Sequence, residues 1–388
     1  MSDMETLLRG KPEADIARIK AAYEYATRMH ADQKRLSGEP YVTHVVAVAV
    51  MLNEMKLDTT SLVAGLLHDT LEDTSATAQD IEKHFGKDVL FLVKAVTKIK
   101  ELEERGTQET SYKTLMRMIF AMAEDVRVIF IKIADRIHNL RTLQYLPPEK
   151  RRRKALESIK IYAPIAERLN MGDMKGRIED LAFPHAYPKE YAELLEQSSR
   201  YYKERVVYAE RVKPKIIKYL YDYGVRDSIV DYRVKRYFSL FEKLKRYEEN
   251  FELIYDLVAF RIVVPDIARC YEVLGILHQQ YRPLPKRVKD YIAMPKPNGY
   301  QSLHTTVFCE EGAIVEFQIR TKEMHAHAES GIAAHWAYGE SGKRNIKAET
   351  AELEWVNKLK RWKELIADHR EFFEALKLDM FRNRIFVF

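Results

Sequence analysis

From residue 13 to residue 170, apolar side chains recur every three or four positions, the spacing of a buried helix face. DIARIKAAYEYATRMHA, SLVAGLLHDTLED, DIEKHFGKDVLFLVKAVTKI and RVIFIKIADRIHNLRTL all carry this pattern. Two-residue alternation is scarce, so the segment predicts an all-α domain. Gly106, in ELEERGTQET, marks a polar loop, and Pro147-Pro148 marks a helix end. Helical spacing continues over 149–225, with interruptions expected around Pro184 and Pro188.

Near residue 226 the period shortens. IYDLVAFRIVV is rich in β-branched and aromatic residues, and HTTVFCEEGAIVEFQIRT predicts two strands joined by a Glu-Gly turn. KEMHAHAESGIAAHWAYG returns to helical spacing. After a polar break at Ser341–Arg344, residues 347–378 predict a long charged amphipathic helix, and RNRIFVF predicts the start of a strand. The expected layout is an all-α domain over 1–150, a helical connector over 151–225 and an α/β domain over 226–340. Residues 341–388 supply a terminal helix and the beginning of a further domain. The fold class is thus multidomain, α followed by α+β, as 388 residues suit two domains better than one.

The net charge of +6 is modest, but the basic residues cluster. Residues 233–246 carry six Lys/Arg against one Glu, and 282–296 carry five against one Asp, which suits polyanions such as nucleotides or RNA. Two cysteines, Cys270 and Cys309, exclude a disulfide framework and a CxxC metal site. No basic-then-apolar leader opens the chain, and Val45–Leu52, its longest apolar run, is too short to span a bilayer. A reducing, cytoplasmic setting without a membrane is expected.

The first chemistry-bearing constellation is His68-Asp69, followed by Glu72-Asp73, on one apolar helical stretch. His68 and Glu72 are four apart, as are Asp69 and Asp73, so each pair should stack on one helix face. His44 opens another helix and Asp135 lies on a third. A bundle can bring three helices around one ion. Two imidazoles and two carboxylates suit Mn²⁺, Fe²⁺ or Zn²⁺. The order H…HD…D resembles the HD superfamily of metal-dependent phosphohydrolases. Such an ion would lower the pKa of a bound water and polarise a phosphoryl oxygen, with Glu72 and Asp73 placed to orient or deprotonate that water. Arg35 can face a base or phosphate, and Asn139 and Thr142 ribose or phosphate.

In VEFQIRT, alternation places Val315, Phe317 and Ile319 on one face and Glu316, Gln318 and Arg320 on the other. Asp256 opens the other apolar strand. If the two strands are neighbours, Asp256 and Glu316 can share a hard cation, Mg²⁺ held with substrate phosphates. The loop around Pro295, Pro297 and Gly299 presents Lys289, Asn298, Tyr300, Gln301 and His304, with Tyr300 available to stack on a base. Arg233, Lys235 and Lys243 are candidate phosphate or adenine contacts.

YDLVAFR, KDYIAMPKPNGYQSLHTT, VEFQIRT and MHAHAESGIAAHW resemble the synthetase signatures of the RelA/SpoT homologues. RLSGEPYVTH, LLHDTLEDT and ADRIHNLRT are similar to the hydrolase signatures of the same long stringent-response enzymes. The resemblance implies an HD-type hydrolase domain, then a mixed-sheet, nucleotidyltransferase-like synthetase domain. It implies transfer of pyrophosphate from ATP to the 3′-hydroxyl of GDP or GTP, giving ppGpp or pppGpp and AMP. It also implies hydrolysis of that 3′-pyrophosphate. A hydrolase alone, with the second domain as a regulatory nucleotide-binding module, is the alternative. His44, His68, Asp69 and Asp135 would bind Mn²⁺, Glu72 and Asp73 would serve the water, and Arg35, Asn139 and Thr142 would hold the nucleotide. Asp256 and Glu316 would serve Mg²⁺ and the acceptor hydroxyl. Arg233, Lys235, Lys243 and Arg269 would hold ATP. Tyr300 would stack on guanine, with Lys289, Asn298, His304 and Gln318 nearby.

Arg287-Val288-Lys289-Asp290 resembles the basic motif of bifunctional members. Three positions depart from the family pattern: Leu36 stands where a basic residue is usual, Val45 where Pro is, and Tyr232 where Gly is. Long members continue into a regulatory half, so ribosome and tRNA contacts are expected only through segments beyond RIFVF.

Overall fold

A computed structural model of the chain describes residues 3–104, 124–247, 250–251 and 254–331, with Ile119, Ala121, Ala333 and Lys358. The loop expected at Gly106, the helix expected over 347–378 (Lys358 apart) and the strand expected at RNRIFVF lie outside the described residues. No described helix is long and apolar enough to cross a membrane.

The chain divides into two units. One contains Met1–Arg168 and the other is Leu169–Gly331. The described part of the first is helical: α1 (Asp3–Leu8), α2 (Glu13–Met29), α3 (Val42–Glu54), α4 (Thr59–Leu67), α5 (Thr70–Asp73), α6 (Ala78–Phe85), α7 (Lys87–Glu104), α8 (Arg127–Arg141), α9 (Pro148–Glu157) and α10 (Ala163–Arg168). A π-helical turn, Ser158–Tyr162, joins the last two. Local chemistry sets several starts. Asp58 caps α4 by accepting from the Ser61 amide at 2.7 Å, and Thr77 with Asp80 forms a capping box on α6. α8 is buried at every position from Val128 to Ile137, charged positions included. Its charged residues are paired inside: Lys132 with Asp135, and Arg136 with Glu157 and the Tyr162 hydroxyl.

One expectation is corrected here. The helix through LVAGLLHDTLEDT is not continuous: α4 stops at Leu67, His68-Asp69 forms a turn, and α5 restarts at Thr70. Apolar periodicity runs unbroken across the doublet, so it cannot register the turn. Thr70 Oγ1 donates back to the Leu67 carbonyl and Asp73 N–H to the Asp69 carbonyl, satisfying backbone groups at the break.

The second unit opens with α11 (Gly172–Ala186) and the 35-residue α12 (Pro188–Asp222). Pro184 lies inside α11, and the chain breaks at Tyr187, before Pro188 at the first turn of α12. Then follow β1 (Ile229–Val234), α13 (Tyr237–Leu244), β2 (Val258–Val264), α14 (Ile267–Gln280), β3 (Arg282–Pro283), β4 (Lys289–Asp290), β5 (Leu303–Phe308), β6 (Ile314–Thr321) and α15 (Lys322–Ser330). The sheet order is β1-β2-β6-β5-β3, with β4 also on β5. Only β2 and β6 run parallel among these pairs, so the sheet is mixed. The β5–β6 connection turns through Glu311 and Gly312, both at positive φ, where glycine is unstrained.

The expected connector is shared between the units. Ala155, Tyr162 and Ile165 are buried within the first. On α12, Ala209, Val212, Ile216 and Leu220 join the core of the second with Phe260, Ile262, Val273, Leu277, Phe317 and Ile319. α12 and α14 therefore cover one face of the sheet. Alternation sends every second strand residue to the other face, which carries the polar side chains.

Candidate functional site

In the helical unit, His44 lies in the first turn of α3, Asp135 in α8, and His68 and Asp69 in the turn after α4. His44 Nε2 is 3.4 Å from Asp69 Oδ2 and 3.3 Å from Asp135 Oδ1. His68 Nε2 is 3.1 Å and 3.8 Å from the same two atoms. All four residues are buried. Neighbouring ligands about 2.1 Å from one ion stand roughly 3.0–3.4 Å apart. The observed spacings therefore suit a shared divalent ion, and His44, His68 and Asp135 form a possible metal site.

The surrounding bonds prepare these donors. His68 Nδ1 lies 2.7 Å from the Gly65 carbonyl and must donate to it, which leaves Nε2 facing the carboxylates with no hydrogen-bond partner. Burial opposes a charged His68, yet Asp69 and Asp135 raise it to about 10. The two carboxylates thus favour positive charge at Nε2. Burial would lift Asp135, but Lys132 and the two imidazoles hold it well below the usual carboxylate range. Asn139 Nδ2 donates to Asp135 Oδ1 at 2.6 Å. A Cβ at Gly65 would stand 2.5 Å from Leu52 Cδ1, so the Leu52 side chain would have to shift to admit one.

Beside the donors, the Tyr41 hydroxyl lies 2.7 Å from Asp69 Oδ2 and 3.2 Å from Asp73 Oδ2. Burial and these carboxylates push its pKa up, so it stays a donor. The Gln33 amide donates to the Asp73 carbonyl. Glu72 is half-buried on α5. Arg35 gathers the other expected residues: Nη2 lies 2.9 Å from both Asn139 Oδ1 and Thr142 Oγ1, and Nη1 2.9 Å from His138 Nδ1. Burial, His44 and Arg35 push His138 down to about 3. Leu36 is solvent-exposed, at 71%.

In the second unit the register assembles the polar face. One cross-strand row is Arg233, Ala259, Glu316 and Thr306; the next is Asp231, Arg261, Gln318 and His304. Asp256 sits in the turn before β2 rather than opening the strand, at the end where Glu316 lies. Lys235 Nζ is 2.8 Å from Asp256 Oδ2 and Lys243 Nζ is 2.6 Å from Oδ1. Burial would raise Asp256, but these lysines hold it below its ordinary value. Glu316 is likewise lowered against burial by His304 and Gln318, while Asp256 pushes it the other way. The two carboxylates thus feel each other's charge. Gln318 Nε2 donates to Glu316 Oε1 at 2.9 Å. His304 joins Glu316, at 3.5 Å from Nδ1, to the Tyr300 hydroxyl, at 2.9 Å from Nε2. Lys289 pairs with His304 across β4 and β5, and Asn298 Oδ1 accepts from the Tyr300 amide at 3.4 Å.

Arg269 is not brought to this group. It stands in the first turn of α14, beyond the far end of β2 from Asp256, and pairs with Glu272 at 2.6 Å. The seven residues of β2 separate the two ends by about 20 Å. Arg261, not singled out from the sequence, occupies the polar face instead, with Nη1 3.2 Å from Glu329 Oε1.

Residues 22–172 match the HD domain family, and 232–343 match the region found in RelA/SpoT proteins. The chain is 43% identical over 386 residues to the GTP pyrophosphokinase of Myxococcus xanthus, covering 99% of this chain and 51% of that protein. It is 44% identical over 377 residues to the bifunctional (p)ppGpp synthase/hydrolase SpoT of Escherichia coli K12, covering 97% and 54%. The chain belongs to the RelA/SpoT family. It spans about half the length of the curated relatives it matches. A solved metazoan orthologue of SpoT is 30% identical over 44% of this chain and 87% of its own, at a TM-score of 0.32. The small alarmone synthetase 1 of Bacillus subtilis is 24% identical over 47% and 98%, at a TM-score of 0.31.

Within this RelA/SpoT chain, sequence reasoning missed Tyr41, Lys132 and His138 in the first unit and Arg261 in the second. His138 and Arg261 lie inside quoted motifs, ADRIHNLRT and YDLVAFR, so residue type and motif were visible signals. Tyr41 likewise lies inside the quoted motif RLSGEPYVTH, whereas Lys132 precedes ADRIHNLRT and carries no such mark. Tyr232, at a position of departure, points to the α12 side, where its hydroxyl donates to Glu210 at 2.5 Å.

Proposed function

We propose that the chain is a bifunctional alarmone enzyme, transferring pyrophosphate from ATP to the 3′-hydroxyl of GDP or GTP and hydrolysing the product's 3′-pyrophosphate. The observation that carries this reading is one chain holding both constellations: the buried His44, His68, Asp69, Asp135 set and the Asp256–Glu316 pair with its lysines.

For hydrolysis, the four donors would hold Mn²⁺, whose bound form supplies a water of lowered pKa and polarises the phosphoryl oxygen. Asp73, tied to Tyr41, and Glu72 orient the attacking water and take its proton. Arg35, Asn139 and Thr142 grip the nucleotide. Water attacks the 3′-linked phosphorus, the ribose 3′-oxygen leaves, and GDP or GTP and pyrophosphate result.

For synthesis, Asp256 and Glu316 would hold Mg²⁺ with the ATP phosphates. Glu316, anionic at neutral pH, accepts the proton of the 3′-hydroxyl. The 3′-oxygen bonds to the β-phosphorus, the α–β bridging bond breaks, and AMP leaves. Arg233, Lys235 and Lys243 neutralise the triphosphate, and Tyr300 stacks on guanine beside Lys289, Asn298, His304 and Gln318. The cytoplasmic setting expected from the sequence goes with this reading.

The test supplies the chain with ATP, GDP and Mg²⁺, then separately with ppGpp and Mn²⁺. Expected products are AMP with ppGpp, and GDP with pyrophosphate. Asp69→Ala abolishes only the second reaction and Glu316→Gln only the first. Wild-type hydrolysis by Asp69→Ala, or wild-type AMP release by Glu316→Gln, would refute the assignments. Hydrolysis without any AMP release would identify a hydrolase with a nucleotide-binding second unit.

A further inference from the structure

His44 must present a lone pair at Nε2 to ligate an ion, so its proton must sit on Nδ1. That nitrogen faces a second histidine: His44 Nδ1 is 2.8 Å from His138 Nδ1. Two imidazoles meeting through like nitrogens leave the donor undecided by themselves. Arg35 decides it. A guanidinium donates and never accepts, and Arg35 Nη1 lies 2.9 Å from the same His138 Nδ1. His138 Nδ1 is therefore the acceptor of both contacts. His44 Nδ1 carries the hydrogen, and His44 Nε2 points its lone pair at Asp69 and Asp135.

We propose that His138 is a positioning residue for the metal site, holding His44 in its ligating tautomer, and that Arg35 sets His138 in turn. This rests on the metal reading of the helical unit. It gives Arg35 a second role besides gripping nucleotide: the guanidinium that spans His138, Asn139 and Thr142 also tunes metal affinity. Neighbours that orient a metal-bound histidine typically change affinity about 10- to 100-fold when removed.

The experiment is a Mn²⁺ titration of the full chain by calorimetry, without nucleotide. His138→Ala is expected to weaken Mn²⁺ binding about 10- to 100-fold. His138→Asn, whose amide oxygen can accept where Nδ1 did, is expected to stay within a few-fold of wild type. Arg35→Met is expected to weaken binding in the wild-type background and to add nothing in the His138→Ala background, because it acts through His138. Wild-type affinity in His138→Ala overturns the proposal, as does an equal loss in Asn and Ala variants or an Arg35→Met effect that is absent or simply additive. A wild-type chain that binds no Mn²⁺ overturns the metal reading and this inference together. Normal Mn²⁺ binding without ppGpp hydrolysis overturns the reaction assignment and leaves the positioning role standing if the variants order as stated.

Discussion

Replacing Lys132 with Met should destabilise the helical unit strongly when chelator is present and weakly when Mn²⁺ is. Lys132 is 1% exposed, and its Nζ stands 3.2 Å from Asp135 Oδ2 inside α8. At that separation, two unit charges attract by about 5 kcal/mol at an effective dielectric of roughly 20. Methionine fills the same volume but leaves the carboxylate without its cation. Breaking a buried pair from one side typically costs about 3–5 kcal/mol, in line with the Coulomb figure. For a unit of this size, each kcal/mol moves the melting midpoint by about 2–4 °C, so the expected drop in chelator is roughly 6–20 °C. A bound divalent ion lies against the same carboxylate and restores the missing positive charge. It is also freed from repulsion by the ammonium. Mn²⁺ should therefore raise the midpoint more in the variant than in wild type. Calorimetric melts of both proteins, in EDTA and in Mn²⁺, make the test. A drop under 2 °C in EDTA, or an equal drop in both buffers, would refute the argument.

Tyr41→Phe removes the hydroxyl shared by Asp69 and Asp73, and kcat for hydrolysis should fall about 10- to 100-fold with little change in AMP formation, the loss typical of a group that orients a metal ligand. Lys243→Met should raise the KM for ATP, whereas Arg269→Ala should leave it within two-fold, about 0.4 kcal/mol; an Arg269 effect as large as Lys243's would overturn the placement argued from β2. Asp256, held below its ordinary value by Lys235 and Lys243 despite burial, contributes stability that is complete above the unfolded carboxylate pKa of about 3.9 and lost as pH falls through the lower folded value. Melts between pH 7 and 3 should show a shallower acid-side decline in Asp256→Asn; an unchanged slope would count against the pairing of Asp256 with Lys235 and Lys243.

The helical unit, the strands with their inward and outward residues, and the turn at Glu311-Gly312 were legible because each depends on residues near in sequence. Periodicity reports which face is buried whatever packs against it. The residues of the possible metal site, His44, His68 and Asp135, were legible through the order of residue types along the chain. Two placements were not legible, for identifiable reasons. The turn at His68-Asp69 sits in unbroken apolar spacing. Arg269 shares charge and sequence neighbourhood with true neighbours of Asp256, but a strand carries the chain away before it occurs.

By itself, then, the sequence determined the two classes of element, the family, and the donor types able to hold an ion and meet phosphate. Only tertiary structure decided which side chains serve those donors. Tyr41 reaches Asp69 across 28 positions and His138 reaches His44 across 94. The parallel pairing of β2 with β6 sets Ala259 beside Glu316 and brings the end preceded by Asp256 to that carboxylate. Such contacts arise from helix packing and strand register, which join distant segments at distances no local period encodes.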